Sequence, residues 1–196
     1  MVIGIDIDDT ICSTNEKIIE EADKYDKEVL GGTGVKDATA YEFTEMMGWE
    51  KEMKGQFFAD RLEYIMDNAE LKPNAKELIN KLHDEGNKII FISFRKDKYI
   101  KDPYKLTKDY LDRHGVKYDG LFVNTGTKTD ECLENGVKLF IDDKESHCED
   151  VSNAGIDVIL FTNAYNQEEK RFVRKDTWEE VYNYIKEKYN GWENCY

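Results

Sequence analysis

Met1-Val2-Ile3-Gly4-Ile5-Asp6-Ile7-Asp8-Asp9-Thr10-Ile11-Cys12 starts as an apolar run and ends in acid, at Asp6, Asp8 and Asp9. β-Branched residues bounded by a polar turn suit a central parallel strand buried on both faces. The carboxylates at its end have no ordinary place in a core, and something must compensate their charge. In open α/β sheets ligands bind beyond the carboxyl ends of the strands, so an acidic tip on the first strand is a candidate site by position as well as chemistry. The competing reading is an Asp-rich turn after an edge strand, because Asp favours turns for local reasons.

Downstream of the acidic turn, Ile18, Ala22, Tyr25 and Val29 recur at helical spacing until Gly31-Gly32-Thr33-Gly34, which reads as a terminating cap and turn. These glycines follow a helix and lack the GxxxxGK[ST] pattern of a phosphate loop. Residues 35–72 continue in helical style, with Phe58, Leu62, Ile65, Met66 and Ala69 on one face. Tyr41, Phe43, Met46, Met47, Trp49, Phe57 and Phe58 make this stretch rich in large side chains. They suit a small helical core, or one or two of them could cover a flat ligand over the acidic tip.

From Pro73 helix and strand alternate. A helix carrying Ala75, Leu78, Ile79 and Leu82 stops at Gly86 and is followed by the apolar strand 88–93. Further pairs are predicted as helix 103–113 with strand 120–124, helix 130–135 with strand 137–143, and helix 148–153 with strand 157–161. Thr177-Trp178-Glu179-Glu180 reads as a capping box opening a last helix. This alternation implies right-handed crossovers and an α/β, doubly wound, Rossmann-like fold with a mostly parallel five-stranded sheet. Residues 1–12 and 73–196 form the core in this reading, and 13–72 a helical insertion.

With 28 basic against 42 acidic residues the formal net charge is -14, which argues against sequence-independent binding to nucleic acid or an anionic membrane. The basic stretch Lys96, Lys98, Lys101 and Lys105 accordingly reads as a solvated loop. No apolar run is long enough to span a bilayer, and the N-terminal run meets Asp6 too early for a signal peptide, so a soluble cytoplasmic protein is expected. Cys12, Cys132, Cys148 and Cys195 lack CxxC or zinc-site spacing and read as free thiols. His147-Cys148-Glu149-Asp150 reads as a solvated helix start, since adjacent helical residues point in different directions.

Four strand ends or loops carry polar groups where a parallel sheet would gather them: Asp6 with Asp8, Ser93, Lys128, and Asp142 with Asp143. Gathered carboxylates cannot all stay ionised without a cation, and an all-oxygen donor set selects a hard ion such as Mg²⁺. A cation, a lysine and a hydroxyl around a nucleophilic carboxylate are what phosphoryl transfer requires. Arg95, next to the proposed phosphate pocket, could add a bidentate contact to substrate or cap its loop at the surface.

In these residues the chain resembles the haloacid dehalogenase superfamily of phosphohydrolases. Asp6-Ile7-Asp8-Asp9-Thr10 matches its DxDxT motif, Ser93 its hydroxyl at the end of an apolar strand, Lys128 its lysine, and Asp142-Asp143 its DD pair. Lys128 is preferred to Lys138, which lies within a strand, and to Lys144, which follows the pair. The resemblance implies Asp6 as nucleophile forming an aspartyl-phosphate and Asp8 as general acid and base, with Ser93 and Lys128 holding the phosphoryl oxygens. It also implies Mg²⁺ held by the Asp6 carboxylate, the Asp8 main-chain carbonyl and Asp142, with Asp143 as a ligand or just behind the ligands. The insertion matches the family's helical cap, which favours small phosphorylated substrates. The short cap and the spacing from Ser93 through Lys128 to Asp143 are most similar to the deoxyribonucleotidase-type, cytosolic type C 5′-nucleotidases, which implies a (deoxy)nucleoside monophosphate as substrate. Ser93-Phe94-Arg95 departs from the threonine-led or paired hydroxyls often found there. A sugar phosphate, a 3′-phosphorylated oligonucleotide end, or a nucleotide-binding relative without turnover are the alternatives. Oligomeric state is left open by the sequence.

Overall fold

The computed structural model describes residues 1–37 and 43–189, so the expectations for Tyr41 and Cys195 lie outside the described residues. The strands are β1 (Val2–Ile5), β2 (Lys88–Ser93), β3 (Gly120–Val123), β4 (Leu139–Asp142), β5 (Asp157–Phe161) and β6 (Val173–Lys175). They form one sheet in the order β3-β2-β1-β4-β5-β6, parallel at every pairing. The chain winds outward from β1 through β2 to β3, then returns to β4 on the other side of β1. The switch between β1 and β4 opens a crevice at their carboxyl ends. β1 is thus central, which excludes the edge-strand reading of its acidic tip.

The sheet has six strands, one more than the sequence predicts. β6 is the extra one: its three residues, Val-Arg-Lys, carry no apolar run, and it lies at the exposed margin, where short charged strands blunt an open edge.

Strand side chains alternate between two layers, as a period of two requires. Ile3, Ile5, Phe91, Leu139 and Ile141 join α4 (Ala75–Asp84), α5 (Pro103–His114) and α8 (Trp178–Tyr189) on one face. Ile90, Ile92, Phe140, Val158 and Leu160 join α6 (Lys128–Glu134) and α7 (Glu145–Asn153) on the other. Gly4 is the close-approach point of β1, since a Cβ there would stand 3.0 Å from the Phe140 ring. At α8, Thr177 accepts from the Glu180 amide at 3.2 Å, but the Glu180 carboxylate accepts from Asp176 rather than from Thr177. The box is therefore half built.

Between β1 and β2 the chain forms α1 (Thr14–Glu28), α2 (Phe43–Met47) and α3 (Lys51–Asn68). α1 stops before Val29, which is exposed rather than part of the buried stripe. Ala22, Tyr25, Phe43, Met46, Met47, Trp49, Phe57 and Ile65 pack as a cluster of their own, with Phe43 stacked on Phe57 at 5.6 Å. Most of the predicted aromatics thus serve this helical core. Asp26, buried within it, accepts from Trp49 Nε1 at 2.6 Å and from the Gly34 amide at 2.8 Å. Trp49→Phe keeps a ring but leaves that carboxylate oxygen short of a donor, and is expected to lower unfolding stability by about 1–3 kcal/mol in urea titrations. A loss under about 0.3 kcal/mol would show that this bond contributes nothing net.

Both ends of the excursion meet at a short antiparallel stem. Cys12 bridges Leu71, the Ser13 amide donates to Glu70 O at 2.8 Å, and the Lys72 amide donates to Ile11 O at 2.9 Å. Cys12, Cys132 and Cys148 are buried free thiols. Among the described residues no helix is long and apolar enough to cross a membrane.

Candidate active site

The site starts from the turn after β1. The Ile7 carbonyl accepts the amides of Thr10, Ile11 and Cys12 at 3.3, 2.9 and 3.3 Å, and Asp9 takes the left-handed conformation at φ 59° that Asp tolerates. Two residues apart on extended chain, Asp6 and Asp8 point to the same side. Together with Asp9 they border a cavity of about 430 Å³, whose other walls include Leu62 and Met66 of α3, residues 94–96 and 98–100 after β2, and Lys128, Asp143, Lys144 and His147. Its phenyl and phenol rings among the described residues, Phe94 and Tyr99, come from the loop after β2. None comes from the helical segment, whose contribution is Leu62 and Met66.

Lys128, buried at the start of α6, donates to Asp6 Oδ1 at 2.5 Å and to Asp142 Oδ2 at 2.7 Å. Asp142 also lies 3.1 Å from His147 Nδ1 and accepts from the Lys144 amide at 2.8 Å. Asp143 accepts from Thr10 Oγ1 at 3.3 Å and from the Tyr165 hydroxyl, while Asn166 Nδ2 donates to the Asp143 carbonyl at 2.7 Å. Asp8 accepts from both Arg95 Nε at 3.0 Å and Arg95 Nη2 at 2.8 Å, and from Thr14 Oγ1 at 2.7 Å. Asp9 accepts from the Asn15 amide at 2.8 Å.

Burial pushes the Asp6 carboxyl up to about 7, with Asp142 and Asp8 adding to the rise and Lys128 opposing it. Burial also lifts Asp143 well above the usual range, aided by Asp142 and Asp6, and lifts Asp9 to about 6. For Asp142 burial acts upward too, but Lys128 and His147 outweigh it and hold the group below its ordinary value. Asp8 is likewise held low against its burial, by the Arg95 guanidinium with help from Thr14. Against burial, Asp6 and Asp142 keep Lys128 firmly protonated. Although Lys128 serves both carboxylates, Asp142 has additional donors, so negative charge settles there and Asp6 carries the excess repulsion.

Carboxylate oxygens of Asp6, Asp142 and Asp143 lie within 4.8 Å of one another, all buried. One lysine does not neutralise three carboxylates, and the donors are all oxygen, so the residues fit a hard divalent cation.

The structure brings Asp6, Asp8, Lys128 and Asp143 to one cavity, with Asp142 directly behind. Ser93 is buried at the end of β2, where its Oγ accepts from the Arg95 amide at 3.3 Å, and it does not border the cavity. Arg95 is no surface cap: it is buried and turned onto Asp8. His147 is no solvated residue either, since it borders the cavity and packs edge-on against Phe94 at 4.9 Å. Thr14, Tyr165, Asn166 and Asn163, whose Nδ2 donates to the Asp9 carbonyl at 2.8 Å, were not found from the sequence. Asn163 and Tyr165 follow β5, whose carboxyl end borders the switch point, and that position was the available signal. Thr14 had only its place at a helix start.

The family model described as 5′ nucleotidase, deoxy (pyrimidine), cytosolic type C protein matches residues 1–189. A nucleotidase of Clostridium acetobutylicum is 28% identical over 153 residues, covering 76% of this chain and 77% of that protein. The Bacillus subtilis protein YqfW is 26% identical over 183 residues, covering 91% and 90%. Among solved structures, a haloacid dehalogenase-like hydrolase from Streptococcus pneumoniae superposes with a TM-score of 0.67 at 14% identity, covering 94% of this chain and 97% of that one. A subfamily IA hydrolase of the same superfamily from Geobacter sulfurreducens gives 0.66 at 11%, covering 94% and 95%. At these identities the structural likeness is one of fold.

Proposed function

The chain belongs to the cytosolic type C 5′-nucleotidase family and is a phosphomonoesterase, and from that premise we propose that it works as a haloacid dehalogenase-type enzyme, hydrolysing (deoxy)nucleoside monophosphates through an aspartyl-phosphate on Asp6. The observation that carries this reading is the delivery of Asp6 and Asp8 from one turn to one cavity, with Lys128 on Asp6. An Asp6 oxygen attacks phosphorus, the bond from phosphorus to the ester oxygen breaks, and the departing oxygen takes a proton from Asp8. Asp8 is held as a carboxylate in the free protein, so that proton enters with the monoanion of the ester. Water then attacks phosphorus as Asp8 accepts its proton, the bond to Asp6 breaks, and phosphate leaves with that proton, which returns Asp8 to its carboxylate form. Lys128 neutralises phosphoryl oxygen charge, and Ser93 buttresses the loop that faces it. Asp6, the Asp8 main-chain carbonyl and Asp142 would hold Mg²⁺, with Asp143 as a further ligand or just behind; bound there, the ion supplies charge neutralisation to the phosphoryl group.

Leu62, Met66, Phe94, Tyr99 and Ile100 line the cavity with apolar surface, which suits a planar base better than a sugar alone. The segment 13–72 acts as a cap over the core 1–12 and 73–196, excluding bulk water and polymeric substrates.

The test is phosphate release from a panel of nucleoside monophosphates, sugar phosphates and a 3′-phosphorylated oligonucleotide, with Mg²⁺ and after its removal by chelation. Nucleoside monophosphates are expected to lead the panel, with turnover falling at least about 100-fold on chelation. Preference for another ester would overturn the substrate, and undiminished turnover in chelator would overturn the metal.

A further inference from the structure

Arg95 is a buried cation of the site that no step of the proposed reaction uses. Its side chain is 0% exposed, its Nε and Nη2 engage both oxygens of Asp8, and its Nη1 donates to Thr107 Oγ1 at 3.4 Å. The guanidinium lies 5.7 Å from the centre of the Tyr110 ring, and Tyr110 in turn donates to Ala69 O at 2.8 Å, beside the stem. Thr107 is fixed by donating to Pro103 O at 2.7 Å. Thr107 and Tyr110 thus tie the guanidinium to α5 and, through Ala69, to the stem. Asp8, by contrast, keeps 25% of its side chain exposed while bordering the cavity.

We propose that Arg95 is a positioning residue: it clamps the Asp8 carboxylate so that its free edge faces the ester oxygen, and it makes no contact with substrate. This rests on the covalent reading above. A substrate contact would require the guanidinium to leave a buried, two-pronged ion pair and abandon Asp8 inside the protein, which removes more than one new contact returns. The planar fork fixes the rotation of the carboxylate as well as its place, which a single ammonium cannot do. Thr14, at the first residue of α1, pins Oδ1 from the other side.

The consequence separates leaving groups. A nucleoside 5′-oxygen is a poor leaving group and needs the proton from Asp8, whereas p-nitrophenolate departs without it. Single-turnover leaving-group release, with Mg²⁺ and enzyme in excess over ester, reads the phosphorylation step for both. In Arg95→Lys and Arg95→Met, nucleoside release is expected to slow about 100-fold and p-nitrophenolate release by less than about fivefold, with half-saturating enzyme concentrations unchanged within about threefold. Arg95→Lys keeps the charge and guards against loss of fold in Arg95→Met. Equal slowing of both leaving groups would overturn the proposal, and so would a rise of tenfold or more in the half-saturating concentration, because Arg95 would then hold substrate. The underlying reading fails differently: acid quench of the wild type would yield no phosphorylated protein from either ester.

Discussion

Asp6→Asn is expected to abolish turnover, by about 10⁴-fold or more, while leaving a folded protein. The amide keeps the size of the carboxylate and can still accept from Lys128, but it offers no competent nucleophile. It also removes one of three clustered carboxylates, the one that burial, with Asp142 and Asp8 adding to it, drives up to about 7. Without metal the variant should therefore melt no lower than the wild type. Millimolar Mg²⁺ should raise the wild-type melting temperature through preferential binding to the folded state, and that increment should shrink in Asp6→Asn because a charged ligand is gone. Phosphate release and calorimetry measure the two effects separately. Turnover within tenfold of wild type would remove Asp6 from the role of nucleophile.

Lys128→Met should have the opposite balance, with a large loss of stability. Lys128 is buried between Asp6 and Asp142, and removing one member of a buried ion group strands the others without compensation. The expected cost is about 3–5 kcal/mol, or a fall of roughly 6–20 °C in melting temperature for a domain of this size. Mg²⁺ should recover part of that loss, since a divalent cation replaces the missing charge at the same carboxylates. Activity should remain low even then, because the phosphoryl oxygens have lost a donor. A variant melting within about 2 °C of the wild type would show that the pairing carries little of the fold's stability.

Much of this architecture was legible in the residues because the relevant signals are local. Alternating apolar runs and helix stripes gave the parallel sheet, and carboxylates at the ends of β1 and β4 marked its working edge. β6 was missed because one apolar and two basic residues leave no periodicity to detect. The orientation of Arg95 was not legible either: adjacency to Ser93 says where its backbone lies, whereas its side-chain direction is set by Asp8, Thr107 and Tyr110 from three separate segments. Tyr165 and Asn166 were hidden for the same reason, since their link to Asp143 exists only once β4 and β5 are adjacent. The aromatic richness before Pro73 reads first as a small helical core, and most of those rings pack there; the alternative of a ring from this segment over the ligand is not met, since only Leu62 and Met66 of its described residues border the cavity. Composition identifies that a core is needed but does not say which of two neighbouring cores a ring will join.

The stem at Cys12 and Leu71 bears on how freely the excursion can change. Because departing and returning chains run side by side, the sheet senses only that the excursion closes, not how long it is. Closure entropy grows with the logarithm of length, so doubling the excursion adds only about 0.6 kcal/mol. An insertion, deletion or exchange at this point therefore carries little thermodynamic penalty for the sheet, and the turn that holds Asp6 and Asp8 need not change with it.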